Sequence, residues 1–198
     1  RLLLLECNQP QLDLFRRDIE QLLAADVDAV LMEDVRQWRI RPEGPARLRP
    51  DLYRAAVTTF HHAHEATSLL AGTGLRVVPV LSEVHPGTLR RLAALPPGTV
   101  VGVACANWPG AGSLRAALEN AGLRQLQVIQ ASTAVQPSLK SMFERAHVVV
   151  CSGRAFPELE TYARDHGYGQ VELWVEDRRL DAGALLDLAR ELSLPLRP

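Results

Sequence analysis

Five short polar stretches stand where apolar runs of the chain end. They are Glu6-Cys7-Asn8, Thr58-Thr59, Cys105-Ala106-Asn107, Ser132-Thr133 and Cys151-Ser152-Gly153. Carboxylate, thiol, hydroxyl and carboxamide groups hold small polar ligands, and a thiol can also move a proton. Each stretch alone is ordinary loop chemistry, because Ser, Thr and Asn cap helices whatever a protein does. Their recurrence at equivalent places in both halves of the chain points to a two-sided polar cleft. The residues expected to bind ligand are Glu6, Cys7, Asn8, Thr58, Thr59, His61, Asn107, Ser132, Ser152 and Gly153.

The most informative block is residues 55–65, AAVTTFHHAHE. A short apolar run gives way to two hydroxyls, and a helix is expected to start near Ala63. Hydroxyls followed by the unpaired N–H groups of a helix N-terminus make an anion-binding corner. Ser152 and Gly153 offer a second corner of the same kind. Glu6 and Asn8 suit an amine or a hydroxyl, and His61 offers an imidazole, whose unperturbed pKa lies near neutral pH. His61, His62 and His64 are irregularly spaced, and no acid or thiol is placed beside them by sequence, so no metal is expected. One histidine facing the ligand, with the others at the surface, accounts for the block. There is no GxGxxG after a strand, no GxxxxGK[ST], no GxSxG and no HExxH. No cofactor and no catalytic residue are therefore expected. Trp38, Trp108 and Trp174 read as packing residues, with Trp108 also placed to line a ligand.

The elements that must position these groups alternate between strand and helix. Residues 2–7 form a two-sided apolar run, the mark of a buried parallel strand. A helix follows from Pro10, with Leu12, Phe15, Ile19, Leu22 and Leu23 at helical spacing. Residues 27–35 read as a second strand, 36–50 as an exposed loop, and 55–60 as a third strand leading into a helix over 64–72. Residues 75–84 form a strand interrupted by Pro79, which suits an edge or a crossing segment. The second half reads as a helix from Pro86, a strand over 99–107, a helix over 112–122 with Ser113 near its start and Gly122 at its end, and a strand over 126–132. Then follow a helix over 137–146, a strand over 147–153, a helix over 156–167, a strand over 171–180 and a last helix over 181–193 capped by Asp181. This is an α/β protein with mostly parallel sheets, arranged as two Rossmann-like lobes with a double crossover. The lobes are expected over 1–80 plus 170–198, and over 85–167.

Composition limits the partners. Of 198 residues 47% are hydrophobic, enough for a packed core. A net charge of -1 argues against these residues gripping nucleic acid themselves, since that requires a basic face. Cys7, Cys105 and Cys151 are odd in number and far apart, which disfavours a disulfide framework and fits the cytoplasm. No apolar run approaches the roughly 18 residues of a membrane span. The chain begins inside a strand, so a further segment is expected before Arg1.

The order of elements resembles the type 2 periplasmic-binding-protein fold, as used for effector sensing in LysR-type regulators. In detail it is similar to the effector domain attached to some GntR-type transcriptional regulators. The resemblance is carried by LLLLECN (2–8), VTTFHHAHE (57–65), VVPVLSEVHPGTLRRLAALPPGTVVGVAC (77–105), AHVVVCSG (146–153) and VELWVEDRRLDAGALLDLAREL (171–192), nearly the whole chain. It implies a non-enzymatic sensor of a small polar or anionic effector, working as a homodimer, with DNA contacted only through a winged helix-turn-helix ahead of Arg1. The alternative is a cofactor-independent two-cysteine racemase of the aspartate/glutamate type. Cys7-Asn8 resembles that family's Cys-Asn-Thr, with Cys105 or Cys151 as second thiol, but position 9 is Gln and no Gly-Cys-Thr partner exists.

Overall fold

In the computed structural model, which describes residues 1–41, 44–176 and 178–198, the opening leucine run forms strand β1 (Leu2–Glu6). It leads into α1 (Gln9–Leu22), β2 (Val27–Leu31), α2 (Met32–Ile40), a 3-10 turn (Pro45–Leu48) and β3 (Ala55–Thr59). A second 3-10 turn (Phe60–His62), α3 (Ala63–Leu69), β4 (Val77–Val80) and β5 (Ser82–Glu83) follow. The next stretch holds α4 (Pro86–Ala93), β6 (Val100–Cys105), α5 (Trp108–Asn120), β7 (Gln127–Ser132), α6 (Gln136–Phe143), β8 (Val148–Cys151), α7 (Phe156–Asp165) and β9 (Glu172–Val175). The chain ends with β10 (Arg179–Leu180) and α8 (Ala182–Glu191). Among the described residues, no helix is long and apolar enough to cross a membrane.

The chain divides into two units, 1–83 with 179–198, and 84–178. In the first, a parallel sheet runs in the order β2-β1-β3-β4. Successive side chains of a strand face opposite sides, and the leucines of β1 use both. Leu2 and Leu4 pack with Leu12, Phe15 and Ile19 of α1 and Leu185 and Leu188 of α8. Leu3 and Leu5 pack with Met32 and Val35 of α2 and Ala66 of α3. All four leucines are fully buried, each stabilising the fold by about 1.5–3 kcal/mol. Beside this sheet, β5 and β10 form an antiparallel ribbon in which Glu83 faces Arg179. Asp18 of α1, itself buried, accepts hydrogen bonds from Leu180 N–H (2.9 Å) and from Arg179 Nε (2.7 Å), which seats the ribbon on α1.

The second unit repeats the plan with the parallel order β7-β6-β8-β9. Val101, Val103 and Cys105 of β6 pack against Leu114 and Leu118 of α5. Ala104, Val149 and Cys151 pack on the other face against α6 and α7. Gly102 sits in the middle of β6 because Met142 and Val149 leave no room for a side chain there.

The structure differs from the sequence reading in several places, among them the strand expected over 75–84, which is two, β4 in the parallel sheet and β5 in the ribbon with β10. Residues 27–35 are not one strand: β2 stops at Leu31 and α2 begins at Met32, because Met32 and Val35 share one buried helical face. Most of the supposed loop over 36–50 is therefore helix and 3-10 turn; its Pro42 and Glu43 lie outside the described residues. The helix placed at 112 starts at Trp108, capped by Asn107 and not by Ser113. Finally, 171–180 is two strands, with Asp177 between them outside the described residues. β9 pairs with β8 in the second unit, so the chain rejoins the first unit at Arg179 and not at residue 170. Pro79 does lie in an edge strand, β4, and Asp181 does cap α8, its Oδ1 accepting from Ala184 N–H at 2.7 Å.

Candidate functional site

In the order β2-β1-β3-β4 the chain moves from β1 to one neighbour and then crosses to β3 on the other side. The C-terminal ends of β1 and β3 thus make a topological switch point, the place where open α/β sheets receive ligands. Glu6 is the last residue of β1 and is 3% exposed. Its Oε1 accepts from the Cys7 backbone N–H at 2.7 Å and lies 3.0 Å from His62 Nε2. His62 closes the 3-10 turn after β3 and is 8% exposed. Its other nitrogen, Nδ1, lies 3.2 Å from Glu65 Oε2, three residues on in α3. Glu65 in turn pairs with Arg36 of α2, which also bonds Glu33.

Cys7 is half-buried beside this pair, and one donor atom each from Glu6, Cys7 and His62 all lie within 4.8 Å of one another. Asn8 does two things. Its Oδ1 accepts from Gln11 N–H at 3.0 Å and caps α1, while Nδ2 points at Cys7 Sγ, 3.8 Å away. Burial by itself would pull the His62 pKa down. The hydrogen bonds to Cys7 and Glu6 outweigh it and push the value up to about 10. For Glu6 burial pushes the other way, upward, and the bond and charge of His62 bring it below the usual carboxylate range. The pair at neutral pH is imidazolium and carboxylate, and both groups are buried.

Among the other expected residues, Thr58 is fully buried and its Oγ1 donates to Leu5 C=O at 3.0 Å, tying β3 to β1. Thr59 is buried as well and makes no side-chain cap of the 3-10 turn after it. Beyond these hydroxyls come that turn and a helix of seven residues, with Glu6 and Glu65 already facing His62. His61 is exposed and meets the His62 ring edge-on at 4.7 Å. Phe60 stands 60% exposed at the same strand end.

The second unit has its own switch point, between β6 and β8. Asn107 is exposed there and caps α5, its Oδ1 accepting from Gly110 N–H at 2.8 Å. Trp108, next to it, is 49% exposed. Ser132 is buried and donates to Ala106 C=O at 3.2 Å, holding the end of β7 to the loop after β6. Ser152 and Gly153 are half-buried after β8, where Ser152 N–H donates to Ala104 C=O. Cys105 and Cys151 are buried in apolar clusters on opposite faces of this sheet.

No protein-family model matches the chain, and no curated protein matches it.

The sequence reading singled out His61 of the block. His62, not His61, is the buried one, and it has the acidic and thiol neighbours that sequence spacing did not place. One local signal was available: Glu65 follows His62 by three residues, the spacing at which helical side chains meet. The contact with Glu6 joins residues 56 positions apart and had no such signal. Chemically, the arrangement offers a carboxylate, a thiol and an imidazole to one point.

Proposed function

We propose that this chain is the effector-sensing domain of a GntR-type transcriptional regulator, with a fold of the type 2 periplasmic-binding-protein kind, taking a small polar or anionic metabolite. The observation that carries the reading is the convergence of polar residues on the switch points of both parallel sheets, where α/β folds bind ligands. In the first unit these are Glu6, Cys7, Asn8 and the turn at 60–62; in the second, Asn107, Ser152 and Gly153. An exposed aromatic ring, Phe60 or Trp108, accompanies each set and suits the apolar part of a metabolite. The capped N-termini of α1 and α5 favour an anionic group. In this reading the domain turns nothing over, acts as a homodimer, and leaves DNA contact to a segment outside these 198 residues. The burial of Cys105 and Cys151 on opposite sheet faces weighs against the two-cysteine racemase, which needs a second accessible thiol.

A metabolite panel read by thermal shift, run with a chelator present, tests the reading. A true effector at 100 times its dissociation constant should add about 2.7 kcal/mol of stability. Asn107→Ala with Ser152→Ala should weaken that effector, and an unchanged affinity would place the ligand elsewhere. Proton–deuterium exchange at Cα of amino acids, lost in Cys7→Ala, would favour the racemase.

A further inference from the structure

We propose that Glu6, Cys7 and His62 form a binding site for a thiophilic divalent transition-metal ion of the zinc class. The donor set comes first. Carboxylate oxygen, thiolate sulfur and imidazole nitrogen are the ligands zinc accepts, and three protein ligands with a fourth position open is a recurrent arrangement. A thiolate disfavours magnesium and calcium, which take oxygen ligands. Distance comes second. The three donor atoms lie within 4.8 Å of one another. Zinc bonds of about 2.0–2.3 Å set tetrahedral ligands roughly 3.3–3.8 Å apart, so side-chain adjustments of about 1–1.5 Å close the site.

The surroundings are those of a metal site as well. A metal-bound histidine nearly always gives its second nitrogen to a carboxylate or carbonyl, which fixes the ring. Here Glu65 takes Nδ1 of His62, leaving Nε2 directed at Glu6, and Arg36 holds Glu65 in place. Asn8 Nδ2 stands beside the Cys7 sulfur, and the Cys7 N–H steadies Glu6. A buried ion pair explains why Glu6 and His62 face each other. It requires neither a thiol at the same point nor a carboxylate on the far nitrogen of the ring. Glu6 and His62 are buried while Cys7 is half-buried, so an ion enters from the Cys7 side. The inference stands apart from the effector reading, since the ion alone is the probe.

Cobalt titrated into the whole chain tests it. The expected result is a tetrahedral visible spectrum with a sulfur-to-cobalt charge-transfer band, both abolished by zinc. Cys7→Ser should remove the charge-transfer band, with folding checked by far-ultraviolet circular dichroism, and Cys151→Ala should keep it. Glu65→Gln leaves the sulfur in place and should keep the band while weakening zinc about 10- to 100-fold. No band in the parent chain, a band that survives Cys7→Ser, or an unchanged zinc affinity in Glu65→Gln would overturn the proposal. The effector reading is untouched by any of these outcomes, because the metabolite screen is run with metal chelated.

Discussion

A buried carboxylate is costly unless something charged meets it, and the charged group that meets Glu6 is the imidazolium of His62. Removing the imidazole leaves that carboxylate buried without its cationic partner. His62→Ala in metal-free protein should therefore cost about 3–5 kcal/mol, as breaking a buried ion pair does. Adding Glu6→Leu should recover much of the loss, because the uncompensated charge goes with it. Urea unfolding of the two variants and the parent measures both. A single-variant cost below about 1 kcal/mol would mean that the pair is solvated like a surface bridge. At this scale the sequence was only partly legible. Polar strand ends were visible, and they led to Glu6, Cys7 and Asn8. The choice between neighbouring histidines depended on the phase of a three-residue 3-10 turn, Phe60–His62, which no periodicity records.

Two helices share one construction. In each, a strand ends near a cysteine, an asparagine caps the helix through its Oδ1, and a proline stands in the first turn: Cys7, Asn8, Pro10 for α1, and Cys105, Asn107, Pro109 for α5. Proline is tolerated there because its missing N–H would have no helical partner. Strands and helices with long apolar runs or clear stops were legible for this reason, as with Gly122 and Gly167, whose positive φ angles of 81° and 78° end α5 and α7. Less legible was the junction at Leu31–Met32, where strand passes into helix without a cap bond or a turn residue. The middle of β6 yields a prediction. A Cβ on Gly102 would meet Met142 Cγ and Sδ at 2.7 Å and Val149 Cγ2 at 2.9 Å. Gly102→Ala should overpack that face and cost about 1–3 kcal/mol, read by the urea midpoint at unchanged slope. A stabilised variant would show that the face carries slack.

Over the whole chain, each unit holds a four-stranded parallel sheet of the same strand order, yet only the second is continuous in sequence. The first draws Leu185 and Leu188 from α8, and Arg54 Nη1 reaches Leu192 C=O at 2.7 Å. The alternation of strand and helix made the two-lobed plan legible. The partner of β9 was not, because an apolar strand of four residues suits either sheet, and only pairing with β8 decides. Leu188→Ala should cost about 2–5 kcal/mol. Native-state hydrogen exchange should show the loss at amides of 1–83 and 179–198, with those of 84–178 protected as before. Equal loss in both would mean that the units open together. The ribbon of Ser82–Glu83 with Arg179–Leu180 carries one more consequence, for the ribosome. Translation makes every residue of the second unit before those that complete the first. Until then the first sheet waits with the face that α8 covers open to water, and a nascent chain stalled near residue 178 offers that face to a chaperone.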